Sequence, residues 1–479
     1  MSENGVDGDP CSSSIPNITK SFLESALQKK VKTFDVISGS NPGDNFTSVL
    51  YGVDVVLEDD SSDHPQQHLL LKLYPNHPIR QKFLDDTNLF WKEYSVYKTL
   101  IPEYMKLQKK VVQKKSDLLK LAFPPFVGGS AINYKNALSK NAEDEHKSDF
   151  FSNYILMQDV RKSCGFTMAN KQLGLDFDHC ALVVKELAKL HALSLAYKVH
   201  SGLSTLTSRF PFLAEAFLSD ENVFIQPVAK SNFEMVLQLM ETDVSLKGSE
   251  AMRSFRKLDG KIMDIFKMFV SPEGVDEVEA RKLRRLMGPN EDENNGKKQW
   301  IVGGHGDCWI NNMLFRYDPI TKKPVEIMLV DLQVFRESCL TLDLVYFFYT
   351  STDHNLRSQS LDSLLQLYAD HFLQFCRILD TPPFPDFSVK ELKRRFNRSK
   401  VLGFMMAILV LPIILTSPEN SVNLDDVEVK ASGKEGEEGE IPDLSDLLDS
   451  MKVKEAGDQN LMQSRFQGMI LELHKDGVL

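Results

Sequence analysis

The sequence predicts an α+β fold of two unequal lobes, a small antiparallel sheet followed by a larger, mostly helical part. Two observations carry this. Before residue 160 the apolar residues gather in short, strand-length runs at 31–37, 48–57, 69–74, 121–129 and 154–160. Beyond it they return at helical intervals over long stretches, as at 176–200, where Leu182, Leu187, Leu190 and Leu193 fall on or near one face. Strands first and helices later is the order of an α+β chain rather than of alternating βα units. The chain has 479 residues, 42% hydrophobic and 26% charged, which is ordinary for a globular protein and long enough for two or three domains.

Composition narrows the function classes. A formal net charge of −11 argues against a nucleic-acid binder, which usually carries a basic face. It leaves a nucleotide ligand open, because a few local cations and a metal ion can hold phosphates. The six cysteines, Cys11, Cys164, Cys180, Cys308, Cys339 and Cys376, form no C-x-x-C pair and read as reduced thiols. Residues 1–15 lack a charged start followed by an apolar core, so no signal peptide is expected. The longest apolar run, 401–415, is short for a membrane span and contains Pro412, so a buried helix is expected there. Together these predict a cytoplasmic protein with no membrane and no nucleic-acid partner.

Taken in order, residues 1–18 read as a disordered leader, rich in Ser, Gly, Asp and Asn. Residues 19–160 form the first lobe, opened by a helix at 22–31. The strands at 31–37 and 48–57 are joined by a loop containing Gly39, Gly43 and Asn45, where glycine lets backbone approach a phosphate closely. The loop has neither G-x-x-x-x-G-K-[ST] nor a full G-x-G-x-x-G, and a plain hairpin connection is the alternative. The next strand, L-L-L-K-L-Y, is interrupted by Lys72, which must snorkel, sit on an edge, or meet an anion. A helix over 83–100 carries Glu93 near the face formed by Phe90, Tyr94 and Tyr97, where it can reach Lys72. The strand at 154–160, with Gln158 and Asp159, leads to a hinge whose backbone would bond an adenine ring. A charged loop is expected at 136–148.

Residues 161–415 form the second lobe, with helices at 176–200, through much of 210–268, and at 279–287, 361–378 and 389–415. His191, on the first of these, reads as a structural histidine. A polar loop at 288–298 leads into the most informative stretch of the chain. Residues 416–458 turn acidic and low in aromatics, which predicts a disordered insert, and 459–479 return as a terminal helix over 461–473.

That informative stretch, 304–312, reads H-G-D-x-x-x-x-N from His305 through Asp307 to Asn312, and a short apolar run then ends on Asp331. Phosphoryl transfer needs a carboxylate to orient the nucleophilic hydroxyl, an amide oxygen for a metal, and a second carboxylate at the same metal. The four-residue gap between Asp307 and Asn312 matches the catalytic-loop spacing of kinases. A His-Gly-Asp turn bonding its own backbone is the bland alternative, and Asn312 with Asp331 weighs against it. Asp343 opens a further apolar helix, where a carboxylate is favoured by the helix dipole. Tyr346, Phe347, Phe348 and Tyr349 after it read as core.

The order of glycine-containing hairpin, strand lysine, helix glutamate, H-G-D-x-W-x-N-N, V-D-L-Q and L-D-L-V-Y-F resembles the ecdysteroid kinase-like family, an arthropod-rich branch of the choline and aminoglycoside kinase-like proteins. The likeness runs from about residue 31 to 415 and includes L-A-K-L-H-A at 187–192. It implies a two-lobed protein-kinase-like fold with ATP in the cleft. It puts Asp307 in the catalytic-base position, Asn312 and Asp331 in the Mg²⁺ positions, and Lys72 with Glu93 in the phosphate-anchoring pair. Asp343 takes the position that braces the catalytic loop, with His305 in support. Residues 154–160 depart from the family's L-V-L-E-D-L, Gln158 replacing Glu, and the acidic insert is longer than usual. The resemblance implies a monomeric ATP- and Mg²⁺-dependent kinase acting on an alcohol, an ecdysteroid or another apolar molecule. The alternatives are a choline- or aminoglycoside-type kinase and a non-catalytic nucleotide-binding pseudokinase or carrier.

Overall fold

A computed structural model describes residues 18–39, 47–58, 66–133, 152–217, 225–270, 300–415 and 456–479. The leader up to residue 17, Gly43, Asn45, the loop at 136–148, the helix at 279–287, the polar loop at 288–298 and all of the acidic insert up to residue 455 lie outside the described residues.

Helix α1 (Lys20–Leu27) is capped by Thr19, whose side chain accepts from the Phe22 amide. Strands β1 (Val31–Ser38), β2 (Val49–Leu57) and β3 (Gln66–Leu73) follow as an antiparallel meander. In β3 the side-chain period of two sends Leu69, Leu71 and Leu73 to one face, where they pack with Val53, Val55, Leu156 and Leu23 of α1. Lys72 is left on the opposite face.

The single helix expected over 83–100 is instead three pieces, α2 (Pro78–Thr87), α3 (Leu89–Ser95) and a π-helical turn (Val96–Leu100), the last running on beyond the expected end into α4 (Ile101–Val111). Asn88 makes the first break: it adopts a left-handed conformation at φ 57° and its amide donates to Leu84. Pro102, lacking an amide hydrogen, sits where the helix resumes after the wide turn. The strand expected at 121–129 is also shorter, since Pro124 and Pro125 cannot donate to a ladder and pairing begins only at β4 (Phe126–Ser130). With β5 (Tyr154–Gln158) this completes an antiparallel sheet of order β1-β2-β3-β5-β4. Lys72 is therefore on the central strand, paired with Leu50 on one side and Ile155 on the other.

The chain then crosses through α5 (Val160–Cys164) and the short β6 (Thr167–Met168) into the helical lobe. Helix α6 (Phe177–Ser201) starts at the Asp176 cap and stops at Gly202 in the left-handed region. The stretch expected as mostly helical resolves into α7 (Ile225–Glu241), α8 (Glu250–Arg256) and α9 (Ile262–Val270). Two small ribbons follow. β7 (Ile301–Gly304) pairs with β10 (Arg336–Cys339), while β8 (Met313–Tyr317) lies between β6 and β9 (Pro324–Leu329). Helix α10 (Thr341–Ser351) is buried along its whole length, packed mainly on α12 (Val389–Leu415) and also touching α6, while Arg357 of α11 (His354–Ile378) reaches it at Phe348 and Tyr349.

The last helix, α13 (Ala456–Lys475), begins a little earlier than expected, inside the segment read as acidic insert. It buries Phe466, Met469, Ile470 and Leu473, and its Glu472 accepts from the Tyr349 hydroxyl of α10 and from Arg357 of α11. No helix among the described residues is long and apolar enough to cross a membrane. The five described cysteines are free, with Cys164 exposed.

Candidate active site

In α3 the helical phase puts Glu93 on the same face as Leu89 and Phe90, towards the sheet. The Lys72 ammonium meets it there at 2.6 Å, and the second oxygen of Glu93 accepts from the Leu332 amide. Asp331 closes on the same ammonium at 3.3 Å. Burial works against the Lys72 charge, but the carboxylates of Asp331 and Glu93 outweigh it and hold the amine protonated well above its usual range. An ammonium so pinned is a fixed cation at the mouth of the sheet.

The two ribbons bring the two sequence stretches together. The loop after β7 holds Asp307, and the loop after β9 holds Asp331. They are stitched by the Val330 amide donating to the Asn312 carbonyl and by the His305 ring donating from Nε2 to the Val330 carbonyl. His305 Nδ1 accepts from the Asp307 amide at 3.3 Å, which leaves Nε2 as the donating ring nitrogen. The glycine of H-G-D is imposed by space as well as by its φ of 81°: a Cβ at Gly306 would lie 2.1 Å from the Val334 carbonyl oxygen. Asp331 itself takes φ 66°, an uncommon conformation for a non-glycine residue.

Asp343, in the first turn of α10, accepts from the amides of His305 at 2.7 Å and Gly306 at 2.9 Å. Burial opposes its charge, but hydrogen bonds from His191 and the loop backbone hold its carboxyl below the ordinary range. His191 is thus structural: wholly buried, it bridges Asp343 at 3.1 Å and the Tyr368 hydroxyl at 2.7 Å.

Asp307 is half-buried, and its two carboxylate oxygens have different donors. Oδ2 accepts from the Asn312 side-chain amide at 2.8 Å, and Oδ1 from the Tyr346 hydroxyl at 2.5 Å. Burial, with Asp331 close by, pushes the Asp307 carboxyl up. Because the Asn312 nitrogen is committed to Asp307, its amide oxygen is the end left to face a ligand. That oxygen and the Asp331 carboxylate are hard donors, which fits Mg²⁺. Among the described residues no three His, Cys, Asp or Glu side chains cluster as a metal cage. A metal here would rest on one carboxylate, one amide and substrate phosphates, the usual manner of Mg²⁺.

The remaining expected residues make contacts of their own. Gly39 bonds the Leu50 carbonyl through its amide, and its own carbonyl accepts from Arg161 at 2.9 Å. Asp159 is buried as the cap of α5, paired with Arg161, and its amide donates to His68. The Gln158 amide donates to Pro125 and its side chain to Ser163. Those two backbone N–H groups are already used within the protein, and neither side chain joins the Lys72 cluster. A cavity of about 720 Å³, lined by Gln226, Lys230, Phe233, Asp259 and Met263 among others, is bordered by none of these site residues.

Comparison with known proteins is decided by one finding: the sequence profile of the ecdysteroid kinase-like family matches residues 42–381. The chain belongs to the ecdysteroid kinase-like family. No curated protein sequence matches it at a significant level. Similar solved structures include a choline kinase from Cryptosporidium parvum, at 12% identity and a TM-score of 0.40, covering 97% of this chain and 93% of that one. An ethanolamine kinase from Plasmodium vivax has 12% identity and a TM-score of 0.35 over 93% of this chain and 83% of its own. An aminoglycoside-3'-phosphotransferase of type VIII has 14% identity and a TM-score of 0.29 over 75% and 98%.

Two site residues of this ecdysteroid kinase-like chain escaped the sequence reading. Tyr346 sits in an apolar run and reads as core, yet its hydroxyl reaches Asp307. Arg336 is almost fully buried; it donates to the Gly306 carbonyl at 3.1 Å, pairs with Glu215 at 2.9 Å and lies over the Phe266 ring. A lone arginine after V-D-L-Q-V-F was the one available signal, since a charge so close to an apolar strand needs a partner.

Proposed function

We propose that this protein is an ATP- and Mg²⁺-dependent kinase that transfers the γ-phosphate to the hydroxyl of a small-molecule alcohol, an ecdysteroid or another apolar alcohol. The observation that supports it is the convergence of Lys72, Glu93, Asp307, Asn312 and Asp331, drawn from four separate stretches of chain, in two hydrogen-bonded groups, Lys72–Glu93–Asp331 and Asp307–Asn312, stitched together by the Val330 amide on the Asn312 carbonyl. A non-catalytic nucleotide binder has no need to keep all five.

Asp307 orients the acceptor hydroxyl and receives its proton as the oxygen–phosphorus bond forms and ADP departs. Lys72, held by two carboxylates, binds the phosphates of the nucleotide. Asn312 and Asp331 would hold Mg²⁺, which when bound supplies positive charge to the β- and γ-phosphate oxygens. The loose transition state is favoured mainly by position and fixed charge. The family's description supports an apolar acceptor, as does the half-buried Trp309 two residues after Asp307. The test is ADP formation from ATP and Mg²⁺ with a panel of steroid alcohols, choline and aminoglycosides. Acceptor-dependent ADP with an apolar alcohol is expected. Preference for choline or an aminoglycoside would move the acceptor class, and tight ATP binding without turnover on any alcohol would sink the enzymatic reading.

A further inference from the structure

The hydroxyl of Tyr346 is placed by the same helix that braces the catalytic loop. Asp343 and Tyr346 are three residues apart on α10 and therefore neighbours on its surface. Asp343 fixes the backbone of His305 and Gly306, and one turn on Tyr346 fixes the side chain of the next residue, Asp307. Helix and loop are thus bound at both the backbone and the catalytic carboxylate.

We infer that Tyr346 is a positioning residue for phosphoryl transfer, holding the Asp307 carboxylate in the orientation from which it meets the acceptor hydroxyl. This rests on the reading of Asp307 as the group that receives the acceptor's proton. A carboxylate turns broadly about its terminal torsion unless both oxygens are engaged. Here Oδ2 accepts from Asn312 and Oδ1 from Tyr346, so the plane is fixed at two points. Without the hydroxyl, Oδ1 loses its donor and the carboxylate keeps the Asn312 amide on Oδ2, an amide anchored on the Asp307 main-chain carbonyl at 3.0 Å. Tyr346 is 2% exposed, so no water stands ready to replace it. Burial and the adjoining Asp307 carboxylate both keep the phenol protonated, which leaves it a donor throughout the working pH range.

Tyr349 supplies a matched comparison. It is on the same helix and equally buried, but its hydroxyl bonds Glu472 of α13 rather than the catalytic loop. If the tyrosine hydroxyls of α10 served only packing, removing either would act alike. The experiment is Tyr346→Phe beside Tyr349→Phe, with steady-state kinetics and a crystal structure of each. Y346F is expected to lower kcat by about tenfold or more, the scale of losing one hydrogen bond to a charged group, while KM for ATP stays within about threefold. Y349F is expected to keep its parent's kcat. In the Y346F crystal the Asp307 carboxylate should leave its single orientation. Parental kcat in Y346F, an equal fall in Y349F, or an unmoved Asp307 carboxylate would each overturn the inference. If the parent protein phosphorylates no alcohol, the kinase reading fails separately, and the Asp307 orientation in the Y346F crystal still decides whether Tyr346 positions it.

Discussion

Replacing Lys72 by methionine keeps most of the aliphatic stem and removes the ammonium between Glu93 and Asp331. Glu93 is 1% exposed, so it is left as a buried carboxylate beside a second one with no cation between them. Breaking a buried pair by removing one partner costs about 3–5 kcal/mol. At roughly 2.1 cal/mol/K of unfolding entropy per residue, a chain this long shifts its midpoint by about 1 °C per kcal/mol if it unfolds as one unit, giving a fall of about 3–5 °C. The loss depends on pH. Without Lys72, burial and Asp331 raise the folded-state pKa of Glu93 above its unfolded value. Its protonated form then fits the site, so K72M is least impaired at acid pH and loses stability as pH rises through that folded pKa. Adding Glu93→Gln removes the orphaned charge and should restore most of the midpoint without restoring activity. The assay is thermal unfolding of K72M, E93Q and the double variant from pH 5 to 8, read as a double-mutant cycle. A double variant no more stable than K72M at pH 8, or a K72M deficit that does not grow with pH, would refute the reasoning.

Three further outcomes follow from the geometry. Gly306→Ala meets the Val334 carbonyl at 2.1 Å and also takes a residue with a Cβ into the left-handed region, so its loop must shift; kcat should fall by about 10²-fold or more, as for displaced catalytic groups, and parental turnover would count against the packing described. Asp85, bonded to Tyr74, has its carboxyl pushed up to about 6 by burial. Its folded pKa lies above the unfolded 3.8, so the penalty is absent below that value, grows between 3.8 and about 6, and is complete above; Asp85→Asn should therefore gain about 1–2 kcal/mol at pH 7.5, after allowance for solvent screening, and almost nothing near pH 4, by denaturant titration. Glu472→Gln should lower the melting temperature by weakening the tie between α13 and Tyr349, Arg357 and Lys400, and the deficit should shrink as pH falls below the unfolded value of 4.5, since hydrogen bonds and nearby cations hold this carboxyl below its usual range.

What the sequence revealed of the site was local or periodic. Asp307 and Asn312 are joined by a fixed spacing, and Asp331 ends a short apolar run, so both stretches announce themselves without knowledge of the fold. Lys72 stands out because a charge in the middle of L-L-L-K-L must be answered by something. Glu93 was found although the helix holding it was drawn too long, because helical phase relative to Phe90 survives a break at Asn88. The partners that stayed hidden act across the chain. Tyr346 lies 39 residues from Asp307 and Arg336 lies 121 residues from Glu215, and neither residue type differs from a core tyrosine or a surface arginine until the ribbons fold. The break at Asn88 and the late start of β4 had signals in an asparagine suited to left-handed backbone and in Pro124-Pro125. Apolar periodicity outweighed them, because it registers which face is buried and not where the ladder of hydrogen bonds stops.

The central claim is that Asp307 receives the acceptor's proton while Asp331 anchors the metal that binds ATP. The most direct measurement is transfer of labelled γ-phosphate to an alcohol by Asp307→Asn and Asp331→Ala, across a Mg²⁺ titration at saturating ATP, with nucleotide affinity determined in parallel. Asp307→Asn is predicted to bind ATP nearly as the parent does and to lose roughly two to four orders of magnitude in turnover, and Asp331→Ala to be nearly inactive at ordinary Mg²⁺. An Asp307→Asn protein that keeps most of its turnover, or transfer that survives removal of the metal by chelation, would contradict the account.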